Sequence, residues 1–214
     1  MTRRLRFIVF CLLLFSPGLL WAHTPIKNVA SFYNGFLHPF LVPAHLLTIL
    51  ALGFLFGQRG TSKVEPAILI FLGATVSGLV AMGYFGLLLD VETLLLLAAI
   101  VLGLLVAFKF DLPLPMYWAL AALTGLMLGL DSIQDAYSGR QKMAALLGSG
   151  VGIYLGLLYA AVFAQRLQKH HWQQTLIRIL GSWIAASALL TLTLILAPKP
   201  GTAAQLPQPT SRTP

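Results

Sequence analysis

Six continuous apolar runs, each about 17 to 25 residues long, dominate this chain after its first 22 residues. That feature leaves few possible folds. In the hydrocarbon of a bilayer every backbone N–H and C=O must be satisfied within the protein, so only helices and closed barrels cross it. A barrel needs strands of alternating polarity about ten residues long, and the runs here do not alternate. Charged residues make up 9% of the chain, against about 25% in soluble domains, and the mean hydropathy is +0.85. A soluble globular domain and a disordered chain are both excluded. The expected fold is all-α: a polytopic membrane helical bundle of six transmembrane helices. At about 20 residues per span, 214 residues leave no room for a soluble catalytic domain.

The first residues read differently. Arg3, Arg4 and Arg6 precede an apolar stretch, then the helix-breaking Ser16-Pro17-Gly18, then Leu20-Trp21-Ala22. This is signal-peptide anatomy. Cleavage after Ala22 exposes His23 and starts the mature chain outside the cytoplasm. The expected organisation is a signal peptide over 1–22, a six-helix domain over 23–200 and a disordered, Pro/Thr/Gln-rich tail over 201–214. The single cysteine, Cys11, lies in the leader, so neither a disulfide nor a cysteine-ligated metal is expected.

The spans are expected at about Leu37 to Gly57, Pro66 to Leu89, Val91 to Phe108, Leu114 to Tyr137, Met143 to Ala164 and Leu176 to Ala197. Pro43 should start or kink the first of them. The net charge of +8 comes from 14 Lys+Arg against 6 Asp+Glu. The basic residues stand singly between apolar runs, which argues for orientation by the positive-inside rule rather than for nucleic acid. With the mature N-terminus outside, Arg59, Lys63, Lys109, Arg166, Lys169 and Arg178 all fall in cytoplasmic loops. This implies a multi-pass protein of a bacterial inner membrane with a periplasmic N-terminus. Lys109 and Asp111 read as an interfacial pair. Small residues are dense in the second span (Gly73-Ala74, Ser77-Gly78, Gly83, Gly86) and the fifth (Gly148, Gly150, Gly152, Gly156), permitting close helix packing.

Ionisable residues in spans default to a functional hypothesis. His38 and His45 lie near the outer end of the first span, seven residues apart, on one face if the segment is helical. Glu92 opens the third span at the same level, where an acid in a first turn also suits the helix dipole. Asp131 and Asp135 lie near the outer end of the fourth span, at i and i+4. Two imidazoles and three carboxylates therefore gather at one membrane level. Such N and O ligands suit Ni, Co, Zn, Mn or Fe. No Ser/His/Asp order, HExxH, P-loop or dinucleotide motif is present, so an enzyme is not expected. His170 and His171 sit in a basic loop and read as solvated.

The stretch from Ala22-His23-Thr24 to Phe36-Leu37-His38-Pro39-Phe40-Leu41-Val42-Pro43-Ala44-His45 resembles the start of the HupE/UreJ family. These are small membrane proteins tied to hydrogenase and urease systems and regarded as nickel/cobalt permeases. His38, Pro39 and His45 match the family's His-Pro-x-x-Gly-x-Asp-His motif in register, with Val42 at its glycine and Ala44 at its aspartate. Val91-Glu92 and Arg178-Ile179-Leu180-Gly181 are also similar to family segments. The family's fourth-span histidines correspond here to Asp131, Ile133 and Asp135, and a fifth-span histidine to Tyr159, so carboxylate or nothing replaces imidazole. The resemblance implies a divalent-metal permease, with Ni or Co as substrate, no organic cofactor, the ligands His38, His45, Asp131 and Asp135, and Glu92 as ligand or supporting group. Metalloenzyme maturation proteins are the implied partners besides the lipid bilayer. The alternative is a non-transporting accessory or scaffold protein, whose glycine-rich helices bind partner subunits.

Overall fold

The computed structural model describes residues 27–85, 91–132 and 137–197. These form helices α1 (Lys27–Leu41), α2 (Pro43–Arg59), α3 (Glu65–Phe85), α4 (Val91–Phe108), α5 (Leu114–Leu130), α6 (Gly139–Arg166) and α7 (His171–Leu196), with no strand among the described residues. The expected leader (1–22), His23 and the tail (201–214) lie outside them, as do Asp90 and Asp135. Each of the six expected apolar runs contains a helix among the described residues. Helices α3, α4, α6 and α7 are long and apolar enough to cross a membrane, and α5 is a shorter apolar helix of 17 residues. The molecule is a multi-pass helical membrane protein.

The first expected span is a pair of helices rather than one. α1 and α2 meet at an angle of 71°, and the sequence supplies the cause. Pro43 has no N–H to continue the ladder of α1, but its fixed φ suits the first turn of a new helix. Val42, in extended conformation, is the hinge. Pro39 sits inside α1 and deprives the Gly35 carbonyl of its helical donor. Ser149 Oγ of α6 donates to that carbonyl at 3.1 Å, so the orphaned acceptor becomes an interhelical tether.

α2 is the axis of the bundle. Eleven of its residues are buried, and it touches α1, α4, α5, α6 and α7. The other principal pairs are α3 with α5, α1 with α6 and α4 with α7. Without a hydrophobic drive between helices in lipid, small residues that let backbones approach decide which faces meet. A Cβ at Gly148 or Gly152 would strike the Phe32 or Phe36 carbonyl of α1. At Gly125 it would lie 2.6 Å from the Phe71 carbonyl, and at Gly103 2.8 Å from the Gly181 carbonyl. Gly73 faces open space instead. The glycines of α6 are thus used within the chain, so a bulky residue at Gly152 or Gly156 would break this protein's own packing and cannot report on partner binding.

The helix directions alternate, so the ends of the bundle differ. His38, His45, Glu92 and Asp131 share one end. Arg59, Lys109, Asp111, Arg166 and Arg178 share the other. At the basic end Arg59 pairs with Asp111, while Lys109 Nζ donates to Gln174 Oε1 at 3.1 Å, correcting the expected Lys109–Asp111 pair. The reason is local. Lys109 has φ 55° and ends α4 in a Schellman arrangement, with Lys109 N–H donating to Val106 O and Phe110 N–H to Leu105 O. That turn directs Lys109 towards α7. A residue with a Cβ in this region costs about 1–2 kcal/mol, and glycine is the usual occupant.

Candidate metal-capture site

The site is built where the bend of α1–α2 meets the end of α5. His45 is fully buried in the first turns of α2. Its Nε2 lies 2.8 Å from Asp131 Oδ2. Asp131 terminates α5 instead of lying within it: the helix ends at Leu130, and the Asp131 N–H still donates to Met127 O at 3.0 Å. The expected fourth span reached Tyr137, so the shorter helix is a correction. Asp131 is thus the residue that caps α5, and its carboxylate is a quarter exposed.

His38 lies in the last turn of α1, half-buried. Its ring stands 5.3 Å from that of His45, centroid to centroid, edge to face. The expected reason for their meeting was a shared face two turns apart on one helix. In the structure they belong to different helices. In a straight helix seven residues would separate them by about 10 Å along the axis, and the bend at Pro43 closes that distance.

An ionised carboxylate only accepts hydrogen bonds, so His45 Nε2 is the donor to Asp131. In the neutral imidazole Nδ1 then keeps its lone pair, and it is buried with no hydrogen-bond partner among the described residues. A histidine held through one nitrogen by a carboxylate, with the other nitrogen free, is the arrangement that orients imidazole metal ligands. Asp131, expected from the sequence as a ligand, contacts Nε2 of His45. Glu92, in the first turn of α4 at the same end, is half-buried, and its side chain makes no ion pair or hydrogen bond among the described residues. Asp135 lies outside them. Among the described residues no three His, Cys, Asp or Glu side chains are close enough to hold a metal ion.

Three further polar groups frame the site, and sequence reasoning passed over them. Thr48, one turn after His45 and fully buried, donates to Ala44 O at 2.7 Å and is 3.0 Å from Leu95 O, which ties α2 to α4 beneath the imidazole. Asn34, four residues before His38, donates to Tyr137 Oη at 2.6 Å, linking α1 to the segment that enters α6. The available signal was spacing: polar residues at i+3 and i−4 from a histidine share its helical face. Tyr159, which replaces a family histidine by resemblance, is 74% exposed on the outside of α6, away from this cluster.

A family model described as HupE / UreJ protein matches residues 10–191. The chain belongs to the HupE/UreJ family. Membership places this HupE/UreJ protein among membrane proteins concerned with nickel and cobalt handling for hydrogenase or urease. Comparison with curated proteins and with solved structures returns no match.

Proposed function

We propose that this HupE/UreJ protein is an inner-membrane permease that captures a divalent transition metal, nickel or cobalt, on the periplasmic side and passes it inward. The supporting observation is the His45–Asp131 contact: a fully buried imidazole fixed by a carboxylate at 2.8 Å, with Nδ1 unpartnered and a second imidazole beside it. An unpaired buried nitrogen carries a desolvation cost of about 1–3 kcal/mol, which a bound cation would remove. His45 Nδ1 and His38 are the ligands in this reading. Asp131 orients His45 and balances charge, and Glu92 and Asp135 supply further carboxylate as the ion approaches. A set of protein ligands short of a closed site suits cargo, because a transported ion must bind weakly enough to leave. Removal of a 1–22 leader would leave the capture end facing the periplasm. The membrane potential then attracts a cation inward at about 2.3 kcal/mol per charge per 100 mV.

The test is uptake of Ni, Co, Zn, Mn, Fe and Cu by cells or proteoliposomes, with membrane abundance measured for wild type and for His38→Ala and His45→Ala. The expected result is uptake of one or two ions, lost in His45→Ala at normal abundance. No uptake of any ion by well-inserted protein would overturn the permease reading and leave the accessory role.

A further inference from the structure

The basic end of the bundle holds a cavity of about 290 Å³ lined by Arg59, Lys63, Lys109, Asp111 and Tyr117 among others. Three cations face it against one carboxylate, a balance of two positive charges. Arg59 gives one Nη to Asp111, yet its Nε is buried with no hydrogen-bond partner among the described residues. The Lys63 side chain makes no ion pair or hydrogen bond among them. Lys109 occupies the left-handed position described above, where a glycine would end α4 without strain. A lysine held where glycine fits better puts a cation at the cavity mouth. The surface beside the mouth is apolar: Phe108, Phe110, Leu114 and Trp118 are exposed.

We propose that this cavity binds the phosphate of an anionic phospholipid. The Arg59 Nη that Asp111 does not take and the ammonium groups of Lys63 and Lys109 take the phosphate oxygens, since Arg and Lys are the usual phosphate partners. The acyl chains lie on Phe108, Phe110, Leu114 and Trp118. Basic pockets between transmembrane helices recognise anionic headgroups in this way. The apolar rim selects a lipid over a free anion, which has no chains to cover it. This assignment does not depend on metal transport.

The test uses purified full-length protein in detergent, titrated with phosphatidylglycerol, phosphatidylcholine or inorganic phosphate and read by native mass spectrometry and thermal melting. Lys63→Gln and Lys109→Gly are compared with wild type, leaving the Arg59–Asp111 pair intact. Phosphatidylglycerol should bind in preference to phosphatidylcholine, and each substitution should weaken it about fivefold, as expected for one basic residue near the membrane surface. Lys109→Gly has a second signature: without lipid its melting temperature should equal or exceed that of wild type, because the strained backbone is relieved, even as lipid affinity falls. Equal binding of the two lipids, or unchanged phosphatidylglycerol affinity in both variants, overturns the proposal. Inorganic phosphate raising the melting temperature as much as phosphatidylglycerol overturns the lipid assignment.

Discussion

Replacing Asp131 by Asn separates the structural worth of the His45–Asp131 contact from its worth in function. The shape is conserved, and the amide oxygen can still accept from Nε2, so the bond weakens instead of vanishing. Interhelical hydrogen bonds in helical membrane proteins average about 0.6 kcal/mol and reach about 1.7 kcal/mol at most. Asp131 is a quarter exposed, so nothing places it above that range. The loss of stability should therefore stay below about 1.7 kcal/mol, too little to prevent insertion. The effect on metal capture should be larger. Removing the group that orients a metal-binding histidine typically lowers affinity or activity 10- to 100-fold. Unfolding in mixed micelles measures the first quantity, and uptake across a range of metal concentrations measures the second. Asp131→Asn should shift the half-saturating metal concentration at least tenfold while the protein remains folded. Uptake within twofold of wild type would refute the orienting role. So would a stability loss of several kcal/mol that alone accounts for lost uptake.

Four other substitutions have outcomes that follow from the packing. A Cβ at Gly57 would meet the Ala161 carbonyl and lie 2.5 Å from Ala164 Cβ, so Gly57→Val should destabilise by about 1–3 kcal/mol. Gly73→Ala, with open space at its Cβ, should be neutral or stabilise by up to about 1 kcal/mol through helix propensity, and micelle unfolding compares the two. Pro43→Ala restores a backbone donor at the bend and favours a straighter α1–α2, drawing His38 from His45. Metal uptake should fall severalfold with stability unchanged or raised, and unchanged uptake would mean the bend is held by tertiary contacts alone. Tyr159→His, on the exposed face of α6, should leave uptake within twofold of wild type in the same assay.

Much of the bundle was legible in the chain because hydrocarbon imposes a length and a composition together. The span from Val91 to Phe108 coincides with α4 at both ends, since charged residues bracket an unbroken apolar run. α1 was not legible: Tyr33, Asn34 and Gly35 interrupt its apolar character, and it is held by close backbone contact with α6 rather than by a run of its own. The end of α5 was hidden for the opposite reason, because the sequence stays compatible with helix past Leu130. His38, His45 and Asp131 were recognisable from their cost in a membrane. The contacts within the cluster were not, because they depend on which nitrogen meets which oxygen across 86 residues of sequence. The Arg59–Asp111 pair is equally non-local, and the sequence favoured the nearer Lys109.

The central position of α2 also sets a schedule for synthesis. His45 enters the membrane long before its carboxylate exists. Asp131 follows 86 residues later, and at about 5–20 residues per second that interval is roughly 4–17 s. α6, which covers another side of α2, emerges later still. During that time a polar ring destined for complete burial stands on a helix only some of whose neighbours have been made. Until α4 is made and Leu95 reaches Thr48, α1, already translated and folded back at Pro43, is the neighbour at hand to shield it. The proline bend therefore serves the nascent chain as well as the finished one: it gives His45 a companion from its own hairpin until the rest of the bundle closes.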